Sequence, residues 1–187
     1  MDSNNAYLPL QAILCAPTTF DFPEFSCLLN LELRIPWFNL SLMINLLSKC
    51  PMLQVFKICN DWQIFTVRSK HPSSWTPPTS VVPDCLVSHL RKIEFQRYEG
   101  SKDEMEFITY ALKNGLVLET VSVHLDWLES EKGKEKREYN ILTELCGMQR
   151  GSNLCQINRM YYEKTGYMCS HVHEFHQVFV QKRLLIP

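Results

Sequence analysis

Residues 86–123 read LVSHLRKIEFQRYEGSKDEMEFITYALKNGLVLETVSV, and their spacing decides the fold. Leu90, Ile93 and Phe95 open the stretch. Side chains alternate along a strand, so Ile93 and Phe95 share a face. Ser101 and Glu104 then make a capping box, a hydroxyl and a carboxylate three residues apart, each satisfying a backbone N–H that a helix start leaves orphaned. Met105, Ile108 and Leu112 follow at helical spacing and predict one apolar stripe facing a core. Asn114 and Gly115 predict the stop, glycine tolerating the left-handed conformation that ends many helices. Leu118, Val121 and Val123 return the first phrase as a second strand.

The same phrase occurs upstream as Leu28, Leu31, Leu33 and again as Leu53, Phe56, Ile58. Four copies of an L-x-x-[LIVF]-x-[LIVF] core thus start at 28, 53, 90 and 118, at intervals of 25, 37 and 28 residues. The first and last intervals fit a leucine-rich repeat period of about 20–29 residues, and the middle one carries an insertion. Between the first two copies, Leu40, Met43, Ile44 and Leu47 lie at i, i+3, i+4, i+7. Asn39 heads that helix. Asn39 and Ser41 also match a glycosylation sequon, but the cap is the simpler reading. Lys49 falls in its last turn and Pro51 prevents its continuation. The expected fold is α/β: a short leucine-rich-repeat-like array of parallel strands with helices on one side and right-handed crossovers.

Outside this frame the chain is less regular. Residues 1–24 form an irregular segment broken by Pro9, Pro17 and Pro23, whose apolar stretch from Tyr7 to Leu14 reads as the remnant of an upstream repeat. Residues 25–74 hold the first repeat-like unit and 75–157 a second region. The insertion at 59–85 carries four prolines around Trp75 and predicts an extended crossing, with Trp75 covering the core or touching a partner. The mixed charge run at 126–138 predicts a solvated loop. A short helix over 139–146, stopped by Gly147, and a last strand over 154–157 complete the array. Residues 158–187 show no period and are expected to be a poorly ordered C-terminal extension.

Composition excludes several classes. The 19 basic and 20 acidic residues leave a net charge of −1, which favours neither nucleic acid nor an anionic membrane surface. No apolar run reaches the roughly 18 residues that span a bilayer, and the N-terminus is acidic and polar where a secretory signal would be basic. The eight cysteines show no C-x-x-C spacing and read as reduced thiols of a cytoplasmic or nuclear protein. The six glycines form no nucleotide-binding loop, and no cofactor is expected.

Residues 75–157 resemble the FBD domain that follows leucine-rich repeats in plant F-box proteins. The resemblance is carried by Trp75, by Val82, Pro83, Asp84, Cys85 and Leu86, and by Leu90 to Phe95. Gly100, Glu104, Asn114, Gly115, Leu118, Glu119 and Val121 continue it. Arg150, Gly151, Ser152 and Cys155 close it. Residues 25–58, with Cys50, Pro51 and Leu53, resemble the preceding repeats. The resemblance implies the substrate-recognition half of a ubiquitin-ligase subunit, binding a protein partner without catalysis. No stretch reads as an F-box, the helical module that docks on the Skp adaptor, since residues 1–24 are short and proline-rich. Direct adaptor binding is therefore not expected. A truncated relative with no retained activity is the alternative.

Two chemical constellations compete with that reading. Cys169, His171, His173 and His176 could ligate zinc, though their spacing matches no known finger. Cys85 precedes His89 by four residues, a nucleophile pattern that lacks an orienting group. The candidate site is instead a surface. If the alternate strand residues point inward, Glu32, Arg34, Lys57, Lys92, Glu94, Gln96, Ser122 and His124, with Asn30 and Thr120, line the opposite face as a partner-binding surface.

Overall fold

A computed structural model describes residues 5–7, 22–35, 38–60, 82–125 and 134–160, with side chains of the last segment from 136 onward. Trp75 with the proline-rich crossing around it, residues 126–133 and the Cys/His cluster at 169–176 lie outside the described residues. The elements run Asn5–Tyr7 (β1), Asn30–Ile35 (β2), Leu40–Ser48 (α1), Val55–Asn60 (β3), Asp84–Ser88 (α2), Lys92–Gln96 (β4), Lys102–Asn114 (α3), Thr120–His124 (β5), Lys134–Cys146 (α4) and Gln156–Met160 (β6). The strands form one parallel sheet in sequence order, β1 to β6. Every crossover therefore adds its strand to the same advancing edge, the topology of a repeat array.

The repeated leucine phrase sets the register. Leu31, Phe56, Ile93 and Val121 pair in one row, and Leu33, Ile58, Phe95 and Val123 in the next. The turn before each strand is tied to the same place in the preceding repeat. Gln54 N–H donates to Leu29 O at 2.8 Å, Arg91 N–H to Gln54 O at 2.9 Å, Glu119 N–H to Arg91 O at 2.8 Å and Gln156 N–H to Glu119 O at 2.9 Å. Both apolar rows are buried in one core with the apolar sides of all four helices. Each such side chain contributes about 1.5–3 kcal/mol through burial. An aromatic cluster fills the middle of this core. Phe107 lies 5.6 Å from Phe38, 5.9 Å from Phe95 and 6.2 Å from Phe56, all edge-on.

Local signals explain three of the helix ends. Asn39 Oδ1 accepts from Leu42 N–H at 2.9 Å and caps α1. The Ser101 and Glu104 capping box heads α3. Gly100, just before it, has φ +69, and a Cβ there would also sit 2.9 Å from Ile141 Cδ1. Gly115 does end α3, but at φ −80, not in the left-handed region. Space is the reason for that glycine: a Cβ would lie 2.6 Å from Ala111 O and 3.0 Å from Leu118 Cβ.

Several elements depart from the pattern-based expectation. α3 buries Phe107, Ile108, Ala111 and Leu112, while Met105 is only partly covered. α2 takes in Asp84 and Cys85, the end of the crossing expected to be extended; its five residues are too few to show a period, and burial of Cys85 and Leu86 holds it. α4 begins at Lys134, inside the charge run expected to be a loop, because Glu138 turns inward and pairs with Arg159 of β6. The last strand runs Gln156–Met160, and Leu154 is 77% exposed while Cys155 takes the buried place. At the other edge, the upstream repeat is represented by β1 at Asn5–Tyr7, ahead of most of the apolar stretch.

Candidate functional site

With the helices on one face of the sheet, the parallel register lines the alternate residues along the other. Asn30, Val55, Lys92 and Thr120 form one row, Glu32, Lys57, Glu94 and Ser122 the next, and Arg34, Cys59 and Gln96 a third. The eight candidate residues thus share one face, because parallel strands repeat the same two-residue alternation at each step. β6 extends the rows with Gln156 and Asn158. Sequence spacing alone misses these two, because the apolar Leu154 suggests a strand that starts two residues too early.

Their exposure differs from the expected solvated surface. Arg34 is exposed and Glu32, Lys57, Lys92 and Gln96 are partly so, but Glu94, Ser122 and His124 are buried. Ser122 is short and sits between the longer Glu94 and Asn158. Glu94 is the hub of a polar cluster: Lys92 Nζ lies 3.0 Å from its Oε2 and the Gln96 amide donates to Oε1 at 3.1 Å. His124 Nε2 lies 3.6 Å from the same Oε1. These neighbours close over the carboxylate, so alternation gives the correct face but not the depth.

The charges follow from this packing. Burial alone would raise the Glu94 carboxyl, but hydrogen bonds from Gln96 and Lys92 and the nearby Lys92 and Lys57 charges hold it below the usual carboxylate range. Burial pushes the His124 imidazole below its ordinary value, and Lys92 and Lys57 add to this against the pull of Glu94. His124 is therefore neutral at neutral pH, and its contact with Glu94 is not an ion pair there. At the strand ends, Arg34 Nε and Nη2 donate to Glu32 Oε1 at 3.3 and 3.2 Å.

The nucleophile constellation does not assemble. Burial pushes the Cys85 thiol up to about 12, and its Sγ donates to Leu47 O at 3.4 Å. His89 Nδ1 instead meets Ser88 Oγ at 2.6 Å. A thiol in this state supplies no thiolate near pH 7. Among the described residues, no group of three or more His, Cys, Asp or Glu is placed to hold a metal ion, and no helix is long and apolar enough to cross a membrane.

A second buried carboxyl is legible in the sequence as a cap but not as a network. Glu104 Oε2 accepts from Ser101 N–H and Oγ, both at 2.8 Å, and Oε1 accepts from the Asn60 amide at 3.0 Å. Burial is the first cause that pushes this carboxyl up, to about 7, with the Ser101 and Glu99 donors opposing. The capping-box spacing reveals Ser101 and Glu104; nothing in the sequence signals Asn60, 44 residues away.

Comparison with known proteins agrees with the geometry. Residues 77–123 match the FBD family model. The chain is 34% identical over 150 residues to an F-box/FBD/LRR-repeat protein of Arabidopsis thaliana, covering 76% of this chain and 32% of the relative. A second F-box/FBD/LRR-repeat protein of Arabidopsis thaliana is 33% identical over 137 residues, 71% of this chain and 30% of the relative. An FBD-associated F-box protein of that plant is 33% identical over 128 residues, 66% and 30%. The chain spans about a third of the length of the curated relatives it matches. No solved structure matches it.

Proposed function

This chain carries an FBD domain behind a leucine-rich-repeat-like unit, as its F-box/FBD/LRR-repeat relatives do, and from that premise we propose that it is a non-catalytic protein-recognition module working through the strand face. The observation that carries this reading is the register that sets Glu32, Arg34, Lys57, Lys92 and Gln96 side by side on the face opposite the helices. Parallel repeat arrays present such a face as a continuous binding surface. Glu94, Ser122 and His124 serve as its floor, with Glu94 fixing Lys92 and Gln96 in place. Cys27, Cys50, Cys85, Cys146 and Cys155 are free thiols, which supports work in the reducing cytosol or nucleus.

The role we assign is that of the substrate-recognition half of a ubiquitin-ligase subunit. The described helices offer the Skp adaptor no free apolar stripe. They bury their apolar stripes in the core, Leu40, Met43, Ile44, Leu46 and Leu47 in α1 and Ile141 and Leu145 in α4, so a second docking face on them would uncover that core. Size-exclusion chromatography of the polypeptide mixed with the adaptor shows no co-eluting complex on this reading. Affinity capture from the native extract tests recognition itself: a specific protein should be retained by the wild-type chain and lost on Lys57→Glu. Retention unchanged by substitutions across the strand face would sink the proposal.

A further inference from the structure

The strand face carries two acids, Glu32 and Glu94, and three bases, Arg34, Lys57 and Lys92, and the structure layers them. The acids are sunk and the bases stand above them. Glu94 and Glu32 side chains are 9% and 22% exposed, against 42% for Lys92 and 61% for Arg34. Each acid is engaged by a neighbour on its own strand, Glu94 by Lys92 and Gln96, Glu32 by Arg34. What the face offers outward is cationic.

The cations also have an order. Lys92 lies in the row of Asn30 and Val55, Lys57 in the row of Glu32 and Glu94, and Arg34 in the row of Cys59 and Gln96. From β4 to β3 to β2 each cation moves one strand across and two residues along. Strands lie about 4.8 Å apart and two residues span about 6.6 Å, so successive cations stand about 8 Å apart on a diagonal. An extended peptide repeats its same-side residues at about 6.6–6.8 Å, close enough for flexible Lys and Arg heads to meet them.

We propose that the strand face recognises an extended acidic protein segment, with carboxylates at alternating positions, laid along the Lys92, Lys57 and Arg34 diagonal. This rests on the recognition role proposed above and names the class of its partner. The diagonal gives a registered contact: one carboxylate per cation, with the intervening side chains directed away. A nucleic acid would meet the same charge, but the chain carries no net basic excess to hold a phosphate backbone over its length.

The test uses the full chain and labelled nine-residue peptides in fluorescence anisotropy at low and physiological salt. A peptide with glutamates at alternating positions, separated by serine, should bind at least fivefold tighter than one with the same residues in two blocks. Lys57→Glu should weaken the alternating peptide by tenfold or more, and Glu32→Gln should tighten it about two- to fivefold. Circular dichroism of each variant checks that the fold is kept. Equal affinity for alternating and blocked peptides, or indifference to Lys57→Glu in a folded variant, overturns the proposal. So does a thymidine oligonucleotide that binds as tightly as the alternating peptide. If a protein target is still captured through Lys57 while the peptides show no preference, the recognition role stands and the acidic class falls. If capture ignores the strand face as well, both fall.

Discussion

Glu104 and Glu138 are both buried glutamates on helices of thirteen residues, and the fold keeps them by opposite means. Glu104 in α3 has hydrogen-bond donors, chiefly from its own helix cap: Ser101 N–H, Ser101 Oγ and the Asn60 amide. Glu138 in α4 has a cation, Arg159, brought from the next strand. Donors from a cap cost little to arrange because they are adjacent in sequence, and they tolerate a neutral carboxyl. A buried ion pair holds only while both partners are present, because either charge alone is stranded in low dielectric. The comparison therefore separates a locally secured acid from one that depends on tertiary assembly.

The largest expected effect comes from breaking the second arrangement. Arg159→Ala leaves Glu138 buried and unpaired and should destabilise the chain by about 3–5 kcal/mol in a denaturant titration. Replacing both residues with leucine should recover much of that loss, since no charge then remains to be desolvated. A small effect of Arg159→Ala would show that Glu138 reaches water without its partner.

The first arrangement predicts a pH dependence. Glu104 has its folded-state carboxyl pushed up to about 7, above its ordinary value near 4.5. A raised pKa means that the folded state binds its proton more tightly than the unfolded chain. Its contribution is therefore complete below pH 4.5 and is lost as pH rises through 7. Stability should fall across that window by up to about 3 kcal/mol, since each pH unit between the two values is worth roughly 1.4 kcal/mol. Glu104→Gln should flatten this slope. A wild-type profile that rises over the same window with Glu104→Gln unchanged would mean the donors hold the carboxyl ionised.

A smaller effect sharpens the local side of the comparison. Ser101→Ala removes one half of the capping box and should cost about 1 kcal/mol. Asn39→Ala at the head of α1 should cost a similar amount, because it too leaves one amide, that of Leu42, without its acceptor. A Ser101 effect several times larger would show that the cap also positions Glu104 for Asn60. Thermal unfolding of the two variants side by side measures the difference.

The L-x-x-[LIVF]-x-[LIVF] phrase already contained the strands from β2 to β5, their parallel order and their register, because a period-2 alternation repeated at a fixed phase admits one alignment of the apolar rows. The caps at Asn39 and Ser101 were legible for a related reason, since each is satisfied within three residues. The face of the candidate site came with the register. Its depth did not: whether Glu94 and His124 lie at the surface or beneath it depends on side chains from neighbouring strands closing over them. The early start of α4 was hidden too, because Glu138 becomes an inward residue only when Arg159 stands opposite it. The Asn60 contact to Glu104 and the rings gathered around Phe107 join residues tens of positions apart. Local spacing determines which way a side chain points; how deeply it is buried, and what meets it there, depends on which elements the fold sets beside it.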